Sequence, residues 1–322
     1  MFNSRPTCQL PPANARSTVG ALVALAALAG VLLATTPAPG ATNAAAAFPC
    51  NPQTVPLYTA YHVSRPVTID GKLEEECWKK APRSPRFVDI LTGAPALHDT
   101  RVAVLWDETN LYVGFWLEEP NVQATFTNHN SPIYENNDAE VFIAGKDSYY
   151  EFEINALNTI YEAFFMWEDS YETDGFAAEP AFARSNPLVK PFNGVGYTNH
   201  PRGLRLGSWA WTFPGLKTSI QIDGTLNNDK DKDRGWTVEL AFPWQGMKWL
   251  AKADRRALPP RPGEVWRIDF SRFNQYKAPP PARDSGGWFW NPHGIWDSHI
   301  PECFPAIDFS TTDVLSLGSA RP

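Results

Sequence analysis

Asp138-Ala-Glu-Val-Phe-Ile-Ala-Gly-Lys-Asp-Ser-Tyr-Tyr-Glu-Phe-Glu-Ile-Asn155 reads as two strands and the turn between them. Side chains alternate across an extended chain with a period of two. In Tyr149–Asn155 this sends Glu151, Glu153 and Asn155 to one face, and Phe152 and Ile154 to the other. In Asp138–Ile143 it puts Asp138 and Glu140 on a shared face, and Gly145 supplies the turn. If the two runs pair, up to four carboxylates gather on one sheet face. Like charges opposite each other destabilise a sheet unless something separates or binds them. The candidates are a cation, the hydroxyls of a ligand, or ion pairing with Arg184, Arg267 or Arg272.

The same kind of run recurs outward from this pair. Val67–Ile69 ends at Asp70-Gly71, Arg101–Trp106 and Leu111–Leu117 form a hairpin pattern, and Ile160–Trp167 follows the central pair. Leu216–Ile222, Gly235–Phe242, Val265–Phe273 and Ala306–Phe309 complete the set. Helical periodicity is confined to Leu73–Ala81 and to Trp244–Lys252 after Pro243. Many short strands with few helices predict an all-β fold, an antiparallel β-sandwich of jelly-roll or immunoglobulin-like type with one or two short helices and long loops. Tyr171–Pro214 has no sustained period and reads as an insertion. Lys277–Arg283, with Pro279-Pro280-Pro281, reads as a second irregular stretch, and long segments of this kind are often functional.

That second stretch leads into Gly286–Phe304, which carries Trp288, Trp290 and Trp296 beside His293, Asp297, His299 and Glu302. Gly and Pro punctuate it as a loop. Flat indole faces beside fixed polar groups suit a ligand with apolar faces and hydroxyl edges, such as a sugar ring. His293, Asp297, His299 and Glu302 are also the metal-ligand candidates, although their spacing matches no helical zinc motif. Asp229, Asp231 and Asp233 imitate the start of a calcium loop, but Arg234 stands where that loop requires Gly.

The first 47 residues read as a secretory signal peptide, with Arg5 and Arg16 leading the apolar run Val19–Ala34 and small residues at Ala44–Ala47. Residues 48–322 form the domain and hold all 13 Trp. The expected location is extracellular, or periplasmic in a bacterium, with no membrane association after cleavage. An exported domain permits disulfides, and a Cys50–Cys303 bridge between the two ends is expected, with Cys77 free. The formal net charge of −7, without a Lys/Arg cluster, argues against nucleic acid. There is no N-x-[ST] sequon, no G-x-S-x-G, no phosphate-binding loop and no G-x-G-x-x-G.

Six segments in order resemble the family 9 carbohydrate-binding modules and their relatives. They are Val67-Thr68-Ile69-Asp70-Gly71-Lys72-Leu73-Glu74 with Trp78; Val104-Leu105-Trp106-Asp107 with Asn110-Leu111-Tyr112-Val113; and Asn137-Asp138-Ala139-Glu140-Val141-Phe142. Tyr149–Asn155, Gly235–Ala241 with Pro243-Trp244, and His299-Ile300-Pro301-Glu302 with Phe304 follow. The resemblance implies a β-sandwich that binds sugars, often attached to a glycoside hydrolase, and that carries structural calcium. It implies an aromatic clamp, here Tyr134 with Trp296 or, as second choice, Trp290. It also implies a sugar-contacting glutamate at Glu140. A position that is Arg in the family corresponds to Glu153 here, so an acceptor stands where the family has a cationic donor.

The expectation is a non-catalytic protein that binds an oligo- or polysaccharide through Tyr134, Glu140, Glu153, Asn155, Trp290, Trp296 and His299. Structural calcium and a partner glycoside hydrolase are further expectations. One alternative is a glycoside hydrolase using paired carboxylates such as Glu140 and Glu153. Another is an extracellular haem or metal protein with Met166 and His299 as ligands.

Overall fold

The structure, a computed structural model, describes residues 47–276 and 283–318. The expected signal peptide, save Ala47, and the Pro279–Pro281 run lie outside the described residues. No helix among those described is long and apolar enough to cross a membrane.

Among the described residues, fourteen strands carry the domain. They are β1 (Leu57–His62), β2 (Val88–Asp89), β3 (Thr100–Trp106), β4 (Asn110–Glu118), β5 (Asp138–Ala144), β6 (Ser148–Asn155) and β7 (Ile160–Trp167). Then come β8 (Val189–Phe192), β9 (Arg205–Ser208), β10 (Lys217–Asp223), β11 (Gly235–Pro243), β12 (Val265–Phe273), β13 (Gly287–Phe289) and β14 (Ala306–Asp313). Their hydrogen-bonded order is β10-β11-β4-β3-β1-β14-β12-β5-β6-β7-β9-β8, with β13 joining β12 to β2.

This path folds over on itself to make a β-sandwich. Phe115 of β4 meets Phe270 of β12 with ring centroids 6.0 Å apart, and Phe152 of β6 meets Phe242 of β11 at 5.5 Å. Those contacts bring one layer, around β3, β4 and β11, against the other, around β12, β5, β6 and β7. The core between them buries Val104, Val113, Val141, Ile143, Val238 and Ile268, the apolar half of each alternating run. The sandwich is not purely antiparallel as expected. β1 runs parallel to both β14 and β3 and links the two layers. A parallel neighbour requires a long crossover, and the connection from β1 to β3 provides one.

Several local expectations are corrected. Val67–Ile69 is irregular backbone. The helix expected over Leu73–Ala81 shrinks to α1 (Glu76–Lys80): Leu73 has φ of 51°, which no right-handed helix accommodates, and Glu75 is extended with ψ of 151°. Trp244–Lys252 contributes only the 3-10 turn Trp244–Met247. Tyr171–Pro214 is not structureless: it supplies β8 and β9, each only four residues and too short to show alternation, and it sends Phe176, Phe182, Trp211 and Phe213 into the core. The Gly286–Phe304 segment contains β13 and the 3-10 turn Pro301–Cys303. Two of its three indoles fold inward. Trp288 donates to Asp284 Oδ1 at 2.9 Å, and Trp290 packs against Tyr58 and Phe270 at 5.3 and 5.6 Å.

The Cys50–Cys303 disulfide is present, with Cα atoms 5.8 Å apart, and Cys77 is free.

Candidate functional site

The face of β5, β6 and β7 turned away from the core carries the carboxylates. In the observed register Glu140 stands directly opposite Glu153, Phe142 opposite Glu151, and Asp138 opposite Asn155. The sequence reading of one acidic face therefore holds. Glu140 and Glu153 are each only 2% exposed, and Asp138 is fully buried. The expected arginine partners are engaged elsewhere. Arg184 pairs with Glu168, Arg267 donates to the carbonyls of Phe304 and Pro52, and Arg272 pairs with Glu119.

Glu140, Glu151 and Glu153 form the floor of a cavity of about 350 Å³, the size of a small-molecule pocket. Tyr134, on a short 3-10 turn just before β5, forms one wall. Tyr161 and Phe165 of β7, Phe192 of β8 and Trp209 after β9 extend it, and Phe273 at the end of β12 and Trp296 close the other side. Tyr134 (45% exposed) and Trp296 (38%) are among the few large aromatics left open to solvent. Each ring is braced from behind by an edge contact, Tyr134 on Tyr161 at 5.6 Å and Trp296 on Phe273 at 5.2 Å. Gly287 gives Trp296 its seat, since a Cβ there would stand 2.9 Å from the indole. Gly196 does the same for the backbone, where a Cβ would stand 2.4 Å from the Trp296 carbonyl oxygen.

His299 lines the cavity beside Glu151. Arg205 Nη1 donates to the Tyr149 hydroxyl at 3.0 Å, and that hydroxyl lies 3.2 Å from His299 Nδ1. An arginine cannot accept, so the hydroxyl proton is free to go to Nδ1. The proton of the neutral ring then sits on Nε2, which faces Glu151 Oε1 at 3.4 Å. Burial, more than any neighbour, depresses the His299 pKa to about 3, so the ring is neutral. Burial also raises the four carboxylates of this sheet face, Asp138, Glu140, Glu151 and Glu153. Glu140 is pushed to about 8, with Asp269 adding to the shift and the 2.6 Å hydrogen bond from Ser271 opposing it. Glu151, Glu153 and Asp138 are pushed up by burial first and by the charge of Glu140 second.

Of the seven residues expected to bind sugar, Tyr134, Glu140, Glu153, Trp296 and His299 line the cavity. Asn155 and Trp290 do not. Asn155 Oδ1 accepts from the N–H groups of Leu157 and Thr159, both at 3.0 Å, and its amide donates to the Phe126 carbonyl at 2.9 Å. It is the clasp of the β6–β7 turn. Trp290 belongs to the core, for its ring is apolar enough to pack between the layers. The aromatics Phe192 and Trp209 were not foreseen, because they come from the stretch that showed no period. Glu151 was legible from alternation alone.

His293, Asp297, His299 and Glu302 are not brought together on one point. His293 faces Asp269 at 3.2 Å and the Asp297 carbonyl at 2.7 Å. Asp297 Oδ2 accepts from the N–H groups of Val195, Gly196 and Tyr197, tying that loop to the Trp296 segment. Glu302 pairs with His200 at 3.1 Å. The calcium-loop imitation also disperses: Asp233 caps the backbone of Val122 and Thr225, while Asp231 accepts from the Thr225 hydroxyl. Met166 lies in the core and His299 on the opposite face of β7, so the two cannot ligate one haem iron. Among the described residues, the group close enough to hold a metal ion is Asp138, Glu140 and Glu153, with one oxygen from each lying within 4.8 Å of the others.

Residues 69–181 match the family model described as carbohydrate family 9 binding domain-like. That span contains Tyr134, Glu140 and Glu153 and ends before the Trp296 loop. The resemblance read from the sequence is thus found independently over this part of the chain. Among solved structures, a presumed carbohydrate-binding protein from Bacteroides uniformis is similar at 13% identity with a TM-score of 0.50, covering 80% of this chain and all of that one. A family 9 carbohydrate-binding module from Caldicellulosiruptor kristjanssonii, solved with cellotriose, is similar at 14% identity and a TM-score of 0.44, covering 82% of this chain and 100% of that one. A family 9 carbohydrate-binding module from Caldicellulosiruptor kristjanssonii solved with glucose gives 13% identity and a TM-score of 0.43, over 80% and 97% of the two chains. No curated protein matches the chain.

Proposed function

We propose that this chain is a non-catalytic, exported carbohydrate-binding protein that takes a sugar ring between Tyr134 and Trp296. The observation that carries this reading is one cavity in which two solvent-open aromatic rings stand over a floor of hydrogen-bond acceptors. Aromatic faces provide apolar contact to the axial hydrogens of a sugar, and carboxylates with the neutral His299 accept and donate hydrogen bonds at its edges. The family match over residues 69–181 supports the same class of ligand. The apolar leader and the Cys50–Cys303 disulfide support export. In that setting a partner glycoside hydrolase would share the polysaccharide.

Binding is favoured over hydrolysis by where the acids stand. Glycosidase carboxylates flank the scissile bond from two sides. Glu140 and Glu153 stand side by side on neighbouring strands of one floor. Asp297, on the facing loop, directs both oxygens to backbone N–H groups.

Titrating the intrinsic Trp fluorescence with a panel of mono- and oligosaccharides tests the reading. A saturable response is expected for at least one glycan. Trp296→Ala is expected to weaken it by at least about tenfold, the equivalent of about 1.4 kcal/mol. Unchanged affinity in that variant, or no response to any glycan by the native chain, would remove the clamp.

A further inference from the structure

The cavity floor poses a charge problem that a neutral sugar does not solve. Asp138, Glu140, Glu151 and Glu153 share one buried sheet face, and among the described residues no lysine or arginine lines the cavity. Buried charges are paired or coordinate metals, because leaving water unpartnered is costly. Here two oxygens have no partner at all, Asp138 Oδ2 and Glu153 Oε2. On the same face, Asp138 Oδ1 accepts from the Phe273 N–H at 3.0 Å and Glu140 Oε2 from the Ser271 hydroxyl at 2.6 Å.

We propose that Asp138, Glu140 and Glu153 bind one hard divalent cation of the calcium type, and that this ion presents its open positions to vicinal hydroxyls of the sugar. The dimensions agree. Calcium holds oxygen ligands at about 2.3–2.6 Å, so two ligands of one ion stand no more than about 5 Å apart. One oxygen from each of the three carboxylates lies within 4.8 Å of the others. The donor set is all oxygen, with neither thiolate nor imidazole, which selects a hard cation over zinc or copper. Calcium takes about six to eight ligands, more than one oxygen from each of the three carboxylates provides. The remaining positions face the cavity, where Glu140 and Glu153 line the wall between Tyr134 and Trp296. A cation here would also return a positive centre to the floor where the resembling family has the Arg that is Glu153 in this chain.

The metal half of this inference stands on the carboxylate geometry alone; the bridging half rests on the carbohydrate reading. Terbium, a luminescent stand-in for calcium, is added to the chelator-treated full chain and excited through the nearby Tyr and Trp rings. Saturable sensitised emission, displaced by calcium, is expected. Glu153→Gln and Asp138→Asn are expected to weaken it at least tenfold, and Trp296→Ala to leave it in place while losing sugar. Both carboxylate variants remove a like charge from a crowded face, and circular dichroism checks that they fold. Should either fail to fold, calorimetry of calcium on the native chain decides the question by itself. Absent emission and absent calcium heat, or emission indifferent to both carboxylate variants, would overturn the site. The glycan titration is then repeated with calcium and with chelator. Sugar affinity should fall at least tenfold on chelation. Equal affinity in both would overturn the bridge while leaving the sugar reading intact, whereas calcium binding without response to any glycan would overturn the sugar reading and leave the metal site.

Discussion

At the scale of single residues, this chain places similar side chains in unlike roles, and neighbours decide which. Glu153 and Asn155 sit two positions apart on the same face of β6. One looks into the cavity; the other closes a turn with three hydrogen bonds. Asn155→Ala should therefore strand the buried N–H of Thr159 and the partly buried N–H of Leu157, and cost about 1–3 kcal/mol of stability. Denaturant unfolding would register that loss while the glycan titration stays unchanged. A loss of sugar affinity at native stability would instead restore Asn155 to the binding surface. Trp290 and Trp296 show the same division. Both are indoles in one Gly-rich segment, yet Trp290 packs on Phe270 in the core while Trp296 rests on Gly287 and faces solvent.

At the scale of elements, the β12 strand is fixed by a buried ionic knot. Arg272, fully buried, pairs with Glu119 at 3.1 Å, donates to the Glu118 carbonyl at 2.7 Å and to the Thr100 hydroxyl at 3.1 Å, and stacks 4.9 Å from the Trp288 ring. Glu119 also accepts from the Trp236 indole at 2.8 Å and from the Asn137 amide. The knot joins the end of β4 to β12, and β12 carries Phe273, the brace of Trp296. Burial raises the Glu119 pKa and lowers that of Arg272, each opposed by the partner's charge. Removing one partner leaves the other charge buried, at about 3–5 kcal/mol. Arg272→Ala should lower stability by that amount in chemical denaturation. A change below about 1 kcal/mol would mean that Glu119 is neutral in the fold.

At the scale of the whole molecule, the two layers are joined twice. β1 and β14 carry the hydrogen-bonded path across, and Cys50–Cys303 fastens the segment before β1 to the turn before β14. The bridge closes a separation of 253 residues, and a cross-link of that kind contributes about 2–4 kcal/mol by restricting the unfolded chain. Reduction should lower the thermal midpoint by several degrees. The cavity floor should persist, because its carboxylates stand on β5 and β6, whereas the Trp296 wall lies on the segment that leads into Cys303. A midpoint unchanged by a reductant, with loss of both thiols' pairing verified by mass, would show that the ends are held by packing alone.

Alternation in Asp138–Asn155 determined by itself that one sheet face would be acidic, and the recurrence of such runs determined a β-sandwich. Period-two patterning is local, and a residue's face follows from its neighbours in sequence. Glu140 and Glu153 were legible from that alternation, Trp296 and His299 from the composition of their Gly-rich segment, and Tyr134 from the family resemblance. Only the tertiary structure decided that β1 runs parallel to its neighbours and that Tyr171–Pro214 supplies two strands and part of the cavity wall. It likewise decided that Trp290 turns inward and that three carboxylates from two strands converge within 4.8 Å. The first three depend on which distant segments meet, and hydrophobic burial sets those meetings without regard to sequence order; the last depends on how side chains turn within the neighbouring strands β5 and β6.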